Sequence, residues 1–448
     1  MHDMKNPLKL LLELYFLELE KNKIQYCVIG NYEELPEYTE NDVDFWVDDI
    51  QSSEKILFLL AKEVGLKLYM VNKTAIGSNN YFYCVINDVL TIVKIDLMTE
   101  TAYKSIFTIV TSKQIRDSRD KFKNFYVANF EIEGVMHLLY PLVHQGKCKE
   151  KYKAKLEKLI QNDLFCKKLE GSIGKQLAAE IKGYIKVGNW DKVDGLSTKV
   201  KREVIKRTFG SFSLGKLLKY VKYTHSLLSK LFTKNGVVIG FTGIDGAGKT
   251  SIKEYLFDNS DKYFTKNRKA QFYWRPFWLP RVATLLGSRG QKEVYDDAGK
   301  RKVKKDQTFF IKSYIKYFLY IVDFVIGQVK YFKVIHTGGF VVFDRYHFDN
   351  IIYPERFGFT VNKKIMRFID KYFIPQPDVL FYFSANTETL YERKHEIDID
   401  EINNQKMLYA EEMAYNKSVV LISTDGTFDS SVNDVLERCL ECMSTRYL

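Results

Sequence analysis

Cysteine is sparse in this sequence: Cys27, Cys84, Cys148, Cys166, Cys439 and Cys442 are scattered along 448 residues. Scattered thiols do not make a disulfide framework, and they suit a reducing compartment. The one close pair, Cys439-x-x-Cys442, has no second pair to complete a zinc site, so packing within a helix is the better reading. Long apolar runs are missing too. The most apolar window, Tyr314–Ile326, is broken by Lys316 and Asp323 and is too short to span a bilayer, which leaves a buried helix. Leu8–Leu19 carries Lys9, Glu13 and Glu18 among apolar residues at helical spacing. It reads as an amphipathic first helix rather than a signal peptide. No repeat or low-complexity tract is evident. A cytoplasmic protein without a membrane span is expected.

A hydrophobic fraction of 46% is ample for packed cores, and the length favours two or three domains. The net charge of +12 favours an anionic ligand such as a nucleotide, nucleic acid or acidic membrane surface, without choosing among them. Residues 1–130 read as a small α/β domain. Strands are expected at Ile24–Ile29, Asp42–Val47, Tyr81–Ile86 and Val89–Leu97, the last two joined by a turn at Asn87-Asp88, with a helix at Glu54–Val64. Residues 131–234 read as Lys-rich amphipathic helices. Among them, Leu214, Leu217, Leu218, Val221, Leu228 and Leu231 form a stripe, better suited to docking on a neighbouring domain than to an anionic membrane. Lys234-Asn235-Gly236 then marks a boundary before residues 235–448.

The strongest signal opens that last region. The apolar run Val237–Thr242 leads into Gly243-Ile244-Asp245-Gly246-Ala247-Gly248-Lys249-Thr250-Ser251, and a helical stretch follows to Phe257. Glycines let backbone N–H groups converge on phosphate oxygens where side chains would not fit. In a G-x-x-x-x-G-K-T loop the lysine, here Lys249, reaches the β- and γ-phosphates of ATP, and the hydroxyl, here Thr250, is a Mg²⁺ ligand. Farther on, the strand Phe340–Phe343 ends in Asp344-Arg345-Tyr346. A carboxylate at that edge of an open α/β sheet suits Mg²⁺ or general-base work, and Arg345 suits a phosphate.

These two segments, with Pro375-Gln376-Pro377-Asp378-Val379-Leu380-Phe381-Tyr382-Phe383, resemble the hallmark segments of thymidylate kinases. The resemblance runs from about Gly236 onward and implies a doubly wound parallel-sheet P-loop kinase domain. It implies further that Asp245 touches an acceptor hydroxyl, Arg345 the acceptor phosphate, and Arg393 the transferring phosphoryl. Glu392 and Arg393 would ride a helix toward a lid over ATP, and Ile422-Ser423-Thr424-Asp425-Gly426 is similar to the adenine-side loop. Departures fall on the acceptor side. Thr242 stands where the family has Glu, Asp349 where it has Ser, and Tyr273-Trp274-Arg275-Pro276-Phe277-Trp278 where it has an Arg-Glu-Pro phosphate segment. The closer resemblance is to thymidylate kinase-like proteins found with bacterial surface-polysaccharide genes. Asp349 near the acceptor would disfavour a phosphate monoester and accept hydrogen bonds from a sugar or polyol, so dTMP is not the expected acceptor.

The first domain carries Gly30-Asn31, a ten-residue gap, Asp42-Val43-Asp44, and later Asp96. Alternation puts Asp42 and Asp44 on one strand face, and Asp96 would complete a two-metal site. The pattern is similar to that of nucleotidyltransferases, with Asn31 replacing their Ser. A solvated acidic edge is the plainer alternative. His137 and His144 share a helix face and are read as core or interdomain residues rather than metal ligands.

The combined expectation is an α/β protein: a nucleotidyltransferase-like domain, a helical middle segment and a P-loop kinase domain. It would use ATP and Mg²⁺ to phosphorylate a small acceptor, nucleotide-like or sugar-like. Nucleic acid is disfavoured as a partner and a homodimer is left open. Two rivals stand beside it. One is a metal-dependent nucleotidyltransferase whose P-loop domain only senses ATP. The other is a nucleic-acid-binding or partner-binding protein, drawn from the basic run Lys300–Lys305.

Overall fold

The computed structural model describes residues 6–39, 42–86, 89–209, 214–279, 307–395 and 398–447. The expected turn at Asn87-Asp88 and the basic run Lys300–Lys305 lie outside the described residues. The chain divides into two compact units, residues 1–231 and 232–448. Among the described residues no helix is long and apolar enough to cross a membrane.

The first unit is built on β1 (Tyr26–Val28), β2 (Val43–Val47), β3 (Lys67–Lys73), β4 (Gly77–Ile86) and β5 (Val89–Met98). It adds a hairpin, β6 (Thr101–Tyr103) and β7 (Phe107–Val110), and then β8 (Arg119–Phe122) and β9 (Phe125–Ala128). Seven of these form a mixed sheet in the order β3-β4-β5-β2-β1-β9-β8, with β2–β5 and β1–β9 parallel. One face is covered by the helices Pro7–Lys21 and Ile50–Glu63, whose Leu12, Phe16 and Leu57 pack on Phe45, Phe82 and Phe125. The second of these helices begins four residues before the expected Glu54, because Asp49 caps it by accepting from the Ser52 amide at 3.2 Å. The other face meets the helical run that starts at Phe130. Leu138, Leu142, Phe165, Ile181 and Val200 share one core with Cys27 and Trp46 of the sheet. Buried apolar area of this kind, rather than helix propensity, holds such Lys-rich helices in place.

The second unit holds β10 (Val237–Gly243), β11 (Lys269–Tyr273), β12 (Phe340–Asp344), β13 (Val379–Ser384) and β14 (Val419–Ser423). All are parallel, in the order β11-β12-β10-β13-β14. Every residue of β10 is buried, as a near-continuous apolar run in a two-sided parallel sheet should be. Strand order reverses at β10, which creates a crevice at the carboxyl edge of the sheet. Close packing at that edge requires glycine at 243. Its φ is +133°, and a Cβ there would lie 2.3 Å from the Phe383 carbonyl oxygen.

Two expectations need correction here. The Tyr314–Ile326 window does form a helix, Gln307–Gly327, but only one side is buried, through Tyr317, Tyr320 and Phe324. Ile315 and Phe318 remain exposed. The charged residue that breaks the window, Asp323, is fully buried on the inward side and bonds Arg275 Nη1 at 2.7 Å. It also accepts from the Phe277 and Leu279 amides at 3.1 and 2.7 Å. Arg275 is stacked against Phe277 and Tyr320 and is 2% exposed, so the segment that stands in place of the family's Arg-Glu-Pro turns its arginine into the interior. Its guanidinium is a structural clamp. Trp274 likewise packs on Tyr320 and Phe357 and donates to Asn350 Oδ1 at 2.7 Å.

Removing one partner of such a pair leaves the other charge buried and unmatched, which costs about 3–5 kcal/mol. Asp323→Ala is therefore expected to lower the melting temperature of the second unit by about 10 °C. Differential scanning calorimetry of the full chain checks this, and an unchanged thermogram would mean the clamp carries no stability.

Candidate functional site

From β10 the chain turns through residues 243–248 into the helix Lys249–Asn259. Gly246 and Gly248 both take left-handed backbone, φ +87° and +77°, which gives the turn its tightness. The first helical amides have no intrahelical partner and make an anion site. Lys249, Thr250 and Ser251 line a cavity of about 580 Å³. Asp344, Arg345, Arg393, Lys394 and Thr424 line it as well. The predicted residues Gly243 to Ser251, Asp344, Arg345 and Arg393 thus converge on one place, although they span 151 positions of sequence from Gly243 to Arg393. Gly243 and Ala247 shape the loop without lining the cavity themselves.

Charge organises this cavity. Arg345 donates to Asp245 through Nη2 and to Asp349 Oδ1 through Nη1, the latter at 2.9 Å. Its own backbone is left-handed, φ +70°, an arrangement non-glycine residues adopt when their surroundings hold them. Burial pushes the Asp245 carboxyl up, but Arg345, Lys249 and Arg356 together outweigh it and leave its pKa below the usual value. Burial is also the main influence on Lys249, reinforced by Arg345, and brings its ammonium down to about 8. Lys249 Nζ donates to the carbonyls of Gly243 and Ile244, at 2.8 and 2.5 Å.

Several details differ from expectation. Asp349 is fully buried and accepts from Arg345, from the Tyr409 hydroxyl at 2.9 Å and from the Tyr346 amide at 3.2 Å. It presents no free carboxylate to a sugar, so the argument against a phosphate-bearing acceptor loses its basis. Thr242 is buried against Tyr409, 3.4 Å between hydroxyls. Arg393 lines the cavity with its guanidinium held by Thr424, Nη1 and Nη2 bonding Thr424 Oγ1 and O at 3.2 and 2.8 Å. Sequence reasoning missed Arg356, on the short turn Pro354–Phe357, which donates to Asp245 Oδ2 at 3.3 Å and lines the cavity. No motif surrounds it, so only folding reveals it.

The first unit has its own cavity, about 320 Å³, lined by Gly30, Asn31, Asp44, Asn79, Asp96 and Lys149 among others. Asp44 and Asp96 face each other in register across the parallel pair β2–β5, and Asn79 Nδ2 donates to Asp96. The third expected ligand, Asp42, lies 3.9 Å from Lys94 Nζ and does not line the cavity, although its charge acts on both Asp44 and Asp96. Among the described residues no set of three or more Asp, Glu, His or Cys side chains is arranged to hold a metal. His137 and His144 line the same cavity, stacked on Tyr152 and Tyr140 at 3.8 and 4.1 Å. Burial, with Lys155 nearby, takes the His137 pKa down to about 3 and keeps it neutral.

A five-stranded parallel sheet with a strand–G-x-x-x-x-G-K-T–helix turn at its switch point makes the second unit a P-loop-type α/β fold. No family model and no curated protein matches the chain. Among solved structures it is similar to thymidylate kinase from Ehrlichia chaffeensis, at 17% identity over 46% of this chain and 97% of that one, with a TM-score of 0.30. It is also similar to thymidylate kinase from Candida albicans, at 16% identity over 47% of this chain and 92% of that one, with a TM-score of 0.31. At these scores neither likeness assigns a residue or an activity to this chain.

The facing carboxylates generate a prediction. Burial first, then the Asp42 charge, pushes Asp44 up to about 7, while Lys149 pulls the other way. Asp96 is raised as well, by burial and then by Asp44. Below about pH 4 an unfolded aspartate is protonated too, so no penalty exists. Between about 4 and 7 the folded state holds a proton on Asp44 that the unfolded chain releases, so stability falls as pH rises, and the raised Asp96 adds to the fall in the same direction. Asp44→Asn should flatten this decline and raise the melting temperature at pH 8. A steeper decline in the variant would show that the pair is not repulsive.

Proposed function

We propose that the second unit is an ATP-dependent phosphotransferase acting on a small, phosphate-bearing acceptor. The observation that carries this is the cationic ring of Lys249, Arg345, Arg356 and Arg393 around one cavity at the P-loop. ATP fits the loop side. The amides at the start of the helix Lys249–Asn259 would cradle its phosphates, with Lys249 exchanging its two carbonyl contacts for phosphate oxygens. Thr250 and Asp344 line the cavity together and offer the hard oxygen donors that Mg²⁺ prefers. When bound there, Mg²⁺ neutralises charge on the β- and γ-phosphates.

On the other side, Arg345 and Arg356 stand where an anionic acceptor would be held, and Asp245 keeps both guanidiniums in place. An acceptor oxygen would attack the γ-phosphorus in line while the bond to the β-phosphate oxygen breaks, releasing ADP. Asp245 is a poor base for that step, because the cations around it hold it ionised and engaged. Its role is orientation. A nucleotide or a phosphorylated sugar satisfies this site better than a neutral polyol. The rival nucleotidyltransferase reading rests on Asp44 and Asp96, with Asp42 beside them paired to Lys94.

Transfer of label from γ-labelled but not α-labelled ATP to nucleoside monophosphates or sugar phosphates is expected. Turnover of neutral sugars alone would overturn the acceptor class. Lys249→Ala should slow transfer on the order of a thousand-fold by removing charge stabilisation. Near wild-type turnover in that variant would sink the kinase reading. Arg356→Ala should raise the acceptor KM about tenfold with little change in kcat, as for a group that binds substrate and transition state alike.

A further inference from the structure

One turn beyond Lys249 on the same helix, Lys253 places its ammonium 2.7 Å from Asp344 Oδ2. The two side chains are only 15% and 13% exposed. Among the described residues Asp344 is the only carboxylate with which Lys253 pairs. Asp344 ends β12 on the wall of the P-loop cavity, and Lys253 reaches it from the helix side without lining the cavity itself.

A carboxylate with one oxygen committed to an ammonium in a poorly solvated place is a weaker ligand for a second cation than a free one. Leaving it free would be costly as well. Asp344 lines the same cavity as Lys249 and Thr250, so a bare charge would repel incoming phosphate oxygens. A tethered lysine answers both demands. Its flexible four-carbon stem can release the carboxylate and withdraw, which a planar, forked arginine does less readily.

We infer that Lys253 is a resident counter-ion that competes with the divalent cation for Asp344, so that loading of metal is coupled to release of Lys253. This rests on the phosphotransferase reading for the identity of the site. Lys253 acts through Asp344 and is a positioning residue. It lets nucleotide enter without metal and weakens metal binding in the absence of nucleotide. A purely structural ion pair joining the helix to β12 is the competing account, and it makes no prediction about metal affinity.

The test is a Mn²⁺ titration of the full chain without nucleotide, followed by electron paramagnetic resonance. The site is defined as the binding lost in Asp344→Asn. In Lys253→Met, which keeps the stem and loses the charge, that site should bind Mn²⁺ about tenfold more tightly than in wild type, as expected for removal of one competing charge. Lys253→Gln should do the same, and Lys253→Arg should bind no more tightly than wild type. Circular dichroism establishes that each variant is folded. An unchanged or weaker affinity in both neutral variants overturns the inference, as does the absence of any Asp344-dependent Mn²⁺ in all of them. Binding of a fluorescent ATP analogue, and its loss in Lys249→Ala, is measured in parallel. If that binding is missing, the phosphotransferase reading fails whatever the Mn²⁺ titration shows.

Discussion

The second unit depends on the seating of one guanidinium. Arg345 sits at the end of β12 with a left-handed backbone, one arm on Asp245 of the P-loop and the other on buried Asp349. Asp349 is in turn held by Tyr409, from the helix Ile399–Tyr415, and Tyr409 meets Thr242 of β10. Two strands, the P-loop and the helices that carry Asp349 and Tyr409 therefore agree on where Arg345 points. A buried charge is tolerated only when its partners are fully arranged, so the network is a constraint on the fold before it is a tool for chemistry.

What could be read in advance follows from how local each signal is. The P-loop was legible because strand, glycines, Lys249 and helix are consecutive, and a loop that wraps phosphate leaves few alternatives. Asp344 and Arg345 were legible because the apolar run before them announces a strand end. Reasoning by substitution failed at Arg275 and Asp349. Both stand at pocket positions in the family pattern, yet Asp323 and Tyr409, 48 and 60 positions away, fold them into the interior. Nothing near either residue announces those partners. In the first unit the pairing of Asp44 with Asp96 is a matter of register, and sequence placed both on strands without saying that Asp42 would turn toward Lys94. The short strands β6 to β9 carry too few residues to show a period.

The two cavities make opposite uses of ionisable groups. In the first unit, carboxylates face each other and burial favours keeping a proton between them, while His137 is held neutral. In the second, cations outnumber carboxylates and each acid is engaged by a base: Asp245 by two arginines, Asp344 by Lys253, Asp349 by Arg345. Desolvation acts in both, and the sign of the neighbours decides the outcome.

The lowered proton affinity of Lys249 has a use outside catalysis. Most lysines on a basic protein hold their protons so firmly that amine-directed reagents sample them slowly at mild pH. A buried ammonium lowered to about 8, opening on a cavity shaped for phosphates, gives up its proton more readily than a surface lysine does. It is thereby a nucleophile that an anionic electrophile can find selectively. The same burial that prepares this side chain to grip phosphate makes it the natural anchor for a covalent inhibitor, one that would carry its own phosphate mimic to the loop.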